Sequence, residues 1–339
     1  MIIPLLFVAL LLLNGIGRNK HIYYLSLFLL TLLVALRSDT VGTDTKGYIS
    51  MYEYFKNTSY NGWPEPLYGG LMILFNRLGA NFHVFQWFLA SLVALFFHLG
   101  LKKCSSNSSY SLFCLYSLFF IFYLMNISRQ IIAVSVVFYA LTFLYENKKT
   151  PFIILVLIAS SLHYASIFSL GLLFVYRIKT NKRMYIVTIC LSLFIGFIIN
   201  EGILSLFLGP YSYYLNSSQH GFRTGMRTVQ ALMLCSYFTG FALLIIMTIK
   251  KSLINTFWLK VFVCGIILNN LTMKLDLGLR IVMFFTISQI VVYNLYINNN
   301  NIKQKYFMFC VVNTFMLIYF FFLFFTGSAG IYPYKSIIF

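Results

Sequence analysis

Arg37, Asp39 and Asp44 fall within one run of eight residues, Arg37-Ser38-Asp39-Thr40-Val41-Gly42-Thr43-Asp44, in a chain that is only 9% charged. The run follows directly on apolar sequence from Ile22 to Leu36. A carboxylate in reach of a hydroxyl can accept its proton as the oxygen attacks. A guanidinium offers a planar five-donor fork that binds phosphate oxygens in pairs and stays charged. Gly42 permits a tight turn that brings both acids toward Arg37. Asp44 and Asp39 are therefore candidate general bases or hydroxyl anchors, and Asp39 is equally placed to form an ion pair with Arg37.

Two further polar sites interrupt apolar sequence: Asn126-Ile127-Ser128-Arg129-Gln130 and His163. Arg129 and Arg280 each begin an apolar helix, where a charge costs about 2.5–3.5 kcal/mol if it moves to the bilayer centre. Either they hold an anionic diphosphate at the membrane surface, or they snorkel to the interface or pair with Asp39, Asp44 or Asp276. His163 lies in the middle of a 26-residue apolar stretch. Its imidazole can titrate near neutral pH, and a buried, hydrogen-bonded structural histidine is the competing reading. His21, His83, His98 and His220 show no spacing signal.

The elements that must position these residues follow from composition. With 60% hydrophobic residues among 339 and a mean hydropathy of +0.84, the chain has more apolar surface than a globule of its size can hide. It is expected to be an all-α, polytopic integral membrane protein with about 10–12 transmembrane helices forming a single transmembrane domain over 1–339. Spans are expected over 2–16, 22–36, 82–101, 110–125, 127–145, 184–200, 229–249, 256–273, 281–297 and 306–325. Residues 67–78 are too short to cross and read as an interfacial or re-entrant helix within an external loop, 37–81. Residues 151–176 read as two half-length helices meeting near His163, with one long tilted helix as the alternative. A second external loop, 201–228, holds Tyr211, Tyr213, Tyr214, Arg223 and Arg227, a mixture suited to stacking and anion contact or to an interfacial aromatic belt.

Short loops rich in Lys and Arg mark the cytoplasmic side. Arg18/Lys20, Lys102/Lys103, Lys148/Lys149, Arg177 to Arg183, Lys250/Lys251 and Lys303/Lys305 fall together on one side if the spans alternate, which puts both termini outside. The net charge of +18 is this signal together with attraction to anionic lipid; no nucleic-acid partner is expected. Six of the seven acids, all but Glu146, then face outward with Arg37, Arg129, Arg223, Arg227 and Arg280. The run Ile2–Ile16 lacks a preceding basic residue and a small-residue cleavage pattern, and reads as a retained span. Six scattered cysteines without CxxC spacing suggest neither a disulfide framework nor a metal site. Nucleotide-binding and serine-hydrolase motifs are absent, and no internal repeat supports an inverted-repeat transporter.

The string Arg37 to Asp44 followed by Tyr48, then Asn126 with Arg129-Gln130 and Ala133, then Ala159 with His163 and Ser166, resembles the EpsG family of polysaccharide polymerases, related to Wzy-type polymerases of O-antigen and capsule. The likeness covers roughly the first half of the chain and fades after about residue 176. It implies a glycosyltransferase of the bacterial cytoplasmic membrane that joins undecaprenyl-diphosphate-linked oligosaccharide repeats on the outer or periplasmic face. No cofactor or metal is implied, and control of chain length implies a partner regulator protein. Asp44, Asp39 and His163 are then the catalytic candidates. Arg37, Arg129, Gln130, Arg223, Arg227 and Arg280 are candidates to bind diphosphate or glycan, the last three on topology alone. A lipid-linked glycan flippase or transporter and a multi-span acyltransferase acting on surface sugars are the alternatives.

Overall fold

A computed structural model of the chain describes residues 2–60, 62, 64–199, 226–275, 278–298 and 302–337; the side chains at 2–6, 226, 227, 279, 302 and 303 lie outside the description. The protein is all-α and polytopic, and among the described residues no strand forms beyond an isolated bridge between Arg37 and Ser336. Among the described residues, five helices are long and apolar enough to cross a membrane: Phe82–Cys104, Ser128–Tyr145, Thr228–Thr248, Arg280–Asn298 and Gln304–Phe325. Apolar helices of 10–17 residues accompany them. Lipid offers no partner to a bare N–H or C=O, so even the β-branched stretch Ile131–Val137 is helical.

The chain divides into two compact units, Met1–Ile167 with Tyr293–Phe339, and Phe168–Val292. The first contains α1 (Ile2–Gly17), α2 (Lys20–Ala35), α3 (Thr45–Tyr54), α4 (Pro66–Arg77), α5 (Phe82–Cys104), α6 (Ser108–Ser117), α7 (Phe120–Leu124), α8 (Ser128–Tyr145) and α9 (Lys149–Leu162). The helix Ile302–Phe325 and the segment after it complete this unit. Asparagine starts three of these helices. Asn19, Asn81 and Asn107 each accept a hydrogen bond from a first-turn N–H, satisfying donors that the helix cannot. Helix α8 is the pivot, buried along most of its length and packed between α5 and α9. Gly100 makes room for it on α5, since a Cβ there would stand 2.6 Å from the Phe138 ring.

Residues 37–81, expected as an external loop, hold the expected short helix, α4, and an unforeseen one, α3. The expected span 110–125 is broken into α6 and α7 at Phe119, whose φ of 70° is left-handed. No glycine or proline marks that break. A cluster of rings holds it, with Phe119 packed on Phe122 at 4.7 Å and Tyr116, Phe119 and Phe122 all against Phe320. The stretch 151–176 breaks at His163, where extended backbone ends α9 and a 3-10 helix, Tyr164–Gly171, begins.

In the second unit, the helices Lys182–Ile198, Met226–Thr248 and Phe257–Leu271 meet around Asn270. Its Oδ1 accepts from Thr239 Oγ1 at 2.7 Å and from Cys235 Sγ, and its Nδ2 donates to Ser192 Oγ at 3.0 Å. One buried amide thus joins three helices where apolar side chains alone gain little from associating in lipid.

Candidate active site

Helix α2 ends at Ala35, and the chain then turns through Arg37 into the loop that leads to α3. Arg37 is 2% exposed. It donates from Nη1 to Val34 O at 2.8 Å and from Nη2 to Gln86 Oε1 of α5 at 3.1 Å. Burial pulls its pKa down to about 10, so it stays charged at neutral pH. Arg37 lies beneath the loop and ties it to α5.

Above it the loop is held from two sides. Backbone bonds join Ser38 N to Lys335 O, Gly42 N to Gly330 O, Thr43 N to Ala329 O and Ile337 N to Leu36 O, at 2.9–3.2 Å. On the other side, Asn126 Oδ1 accepts from Thr43 Oγ1 at 2.6 Å and from Asp44 N at 2.9 Å. Thr45 Oγ1 lies 3.2 Å from Met125 O. Gly42 has φ of +91°, and a Cβ there would lie 2.5 Å from Met125 O, so no other residue fits this turn unstrained. Two of the sequence motifs, Arg37–Asp44 and Asn126–Gln130, are therefore one structure.

Asp44 is exposed at the N-cap position of α3 and makes no side-chain cap bond, while its Oδ1 accepts from Thr43 Oγ1 at 3.1 Å. Asp39 is also exposed. Its Oδ1 faces Nε2 of His83, a residue without sequence signal, at 3.6 Å, and its charge also acts on the buried Arg37.

The buried centre forms around Glu65. This side chain is 5% exposed and stands at the N-cap of α4, followed by Pro66 at the first helical position. Its Oε2 accepts from Arg129 Nη1 of α8 at 2.7 Å, and its Oε1 lies 2.9 Å from Nδ1 of His163, which ends α9. Tyr164 N is 3.4 Å from the same Oε1. Burial alone would raise the Glu65 pKa. The hydrogen bond from His163 and the Arg129 charge outweigh it and hold the carboxyl at about 2. Arg129 lies over the Tyr48 ring at 6.0 Å, and Tyr48 packs on Tyr68 at 6.1 Å. The Tyr68 hydroxyl meets Ser128 Oγ at 3.0 Å, and burial pushes this phenol well up.

The structure thus brings Arg129 and His163 together through Glu65, with Asp44 joined to the same α8 entry through Asn126. Gln130 is 3% exposed near the start of α8. Arg280 is exposed on the helix Gly278–Thr286 of the second unit. Arg223 and the tyrosines 211, 213 and 214 lie outside the described residues, as does the side chain of Arg227. Glu65 was missed as a site residue. Its one local signal is the Glu-Pro pair that opens α4, a helix-start signature. Among the described residues no three His, Cys, Asp or Glu side chains gather to hold a metal.

Residues 20–336 match the EpsG family. The chain belongs to the EpsG family. This is a family of membrane proteins of polysaccharide-polymerase type. The match runs far beyond residue 176, where the motif likeness fades, and takes in most of the segment 329–337 that holds the Arg37–Asp44 loop. Comparison with curated proteins and with solved structures finds no match.

Proposed function

We propose that this EpsG-family protein is a glycosyltransferase that polymerises undecaprenyl-diphosphate-linked oligosaccharide repeats on the outer face of the cytoplasmic membrane. The observation that carries this reading is the Glu65 carboxylate, which holds Arg129 and His163 on its two oxygens. In the reaction a hydroxyl of one lipid-linked repeat attacks the anomeric carbon of the growing chain. The new glycosidic C–O bond forms as the bond from that carbon to the diphosphate oxygen breaks. The diphosphate leaves with the bonding electrons, and the hydroxyl loses its proton to a base.

Charge grows on the departing diphosphate, so a guanidinium fixed beforehand at that point lowers the barrier. Arg129 fills that role, with Glu65 and the Tyr48 face fixing its orientation. Beside an ionised Glu65, His163 donates a hydrogen bond from Nδ1 to the carboxylate, which fixes the ring with Nε2 on its far side. A carboxylate that orients an imidazole in this way is the arrangement used by histidine bases elsewhere. Asp44, exposed at the start of α3, anchors the hydroxyls of the incoming repeat. Arg37, buried below, fixes the loop that carries Asp44.

Deleting the gene in its host and sizing the lipid-linked and surface glycan tests the reading. Single repeats should accumulate and the longer ladder should vanish. A ladder that persists at full length would sink the proposal in favour of relocation or acyl transfer.

A further inference from the structure

Helices α3 and α4 both start at the candidate site, with Asp44 and Glu65 at their N-caps, and both end at a second feature. Their C-terminal ends and the turns after them line a half-open cavity of about 740 Å³, within the range of ligand pockets. Its lining is mixed, with Lys56, Thr58, Tyr60, Asn76, Arg77 and Asn81 beside Phe55 and Ile73. The walls are fixed by the protein itself. Asn76 Nδ2 donates to Tyr52 O at 2.8 Å, the Tyr52 hydroxyl donates to Ala80 O at 2.9 Å, and the Tyr60 hydroxyl donates to Pro64 O at 2.7 Å.

Three observations define what this cavity would take. Lys56 is paired with Glu53, whereas Arg77 has no hydrogen-bond or ion-pair partner among the described residues and is exposed. Tyr60 is 38% exposed and backs onto Gly69 of α4, where a Cβ would stand 2.7 Å from its ring. Tyr60 also reaches the site: partial burial and, after it, the neighbouring Tyr164 hydroxyl and Glu65 carboxylate push its phenol up. An amphipathic ring, side-chain amides and hydroxyls and one uncommitted guanidinium are what a sugar chain with carboxylate or phosphate substituents needs. A lipid diphosphate would be held at the other ends of these helices. The ten residues of α3 put about 15 Å between the two places, a gap that a few linked sugars bridge.

We infer that the cavity between the C-terminal ends of α3 and α4 is a subsite for the glycan part of the substrate, an acidic oligosaccharide lying along α3 and α4 away from its diphosphate. The inference rests on the polymerase reading. Because the subsite grips sugars already linked, its loss lets partly extended chains escape, and products become shorter without disappearing.

The test uses the full-length protein in lipid nanodiscs and, as probe, the host's own repeat-unit oligosaccharide freed of its lipid diphosphate by mild acid. Binding is measured at two salt concentrations. The expected result is saturable, salt-sensitive binding that weakens at least tenfold in Arg77→Ala and in Tyr60→Ala and is unchanged in Lys102→Gln, a surface cation distant in sequence from the cavity. In cells, Arg77→Ala should shorten the glycan ladder and keep it. Equal affinity in wild type and Arg77→Ala, or no saturable binding by the wild type, would overturn the subsite. Those outcomes are separate from the gene-deletion result, which alone decides whether the protein polymerises at all.

Discussion

Glu65 is buried between Arg129 and His163, so removing its charge strands Arg129. Breaking a buried ion pair by neutralising one partner costs about 3–5 kcal/mol. Glu65→Gln should lower the thermal unfolding temperature in detergent and abolish polymer. Its folded pKa of about 2 lies below the usual value of about 4.3, so its stabilising contribution is complete above roughly pH 5. That contribution disappears as pH falls from about 4.3 toward 2. Unfolding curves at pH 3 and pH 7 should therefore differ less for Glu65→Gln than for the wild type, and an equal difference would remove Glu65 from the acid response. Arg129→Ala should reduce polymer formation about 10²–10³-fold, by analogy with lost oxyanion donors, while the protein still inserts. Glycan sizing beside an immunoblot of membranes checks it. Arg129 and His163 were legible in the sequence because isolated polar residues in apolar stretches are costly and need a reason. Their shared partner was not, since Glu65 lies 64 and 98 positions away and no local pattern encodes such a pairing. Arg37 reads as a surface residue because it follows a span, yet it folds back under the loop, where Val34 O and Gln86 receive it.

At the scale of elements, the Arg37–Asp44 loop is held by Asn126 on one side and by residues 329–337 on the other. Gly42→Ala forces a side chain toward Met125 O at a left-handed φ, a strain of about 1–3 kcal/mol. Polymer should fall at least tenfold with membrane levels of the protein close to normal, and full activity would show that the loop tolerates displacement. Much of the element plan was readable. Helices α5 and α8 and the short α4 follow from apolar length, and Asn19, Asn81 and Asn107 announce helix starts. The break at His163 could be read from a stretch too long for one span and too short for two. The break at Phe119 could not, because the rings that hold it, Phe320 among them, come from distant sequence. Helix α3 escaped as well, since Thr45–Tyr54 is too polar and too short to register as an apolar run.

For the whole molecule, the proposed function requires the Glu65 site and the α3–α4 cavity to face outward, as the positive-inside pattern leads one to expect. In a cysteine-free background, Ser59→Cys should react with a membrane-impermeant maleimide in intact cells, and Lys148→Cys only after permeabilisation. The reverse labelling would move the site to the cytoplasm and exclude polymerisation outside. The contacts that hold the Arg37–Asp44 loop also have a temporal meaning. Tyr334 donates its hydroxyl to Leu33 O across 301 positions, and backbone bonds join Gly42 to Gly330 beside it. A ribosome makes the loop early and its clamp late, so the site cannot close until the intervening helices have entered the membrane. On the proposed function, chains that end before residue 329 should form no polymer. The loop's closure thereby reports on the completion of the chain's own insertion.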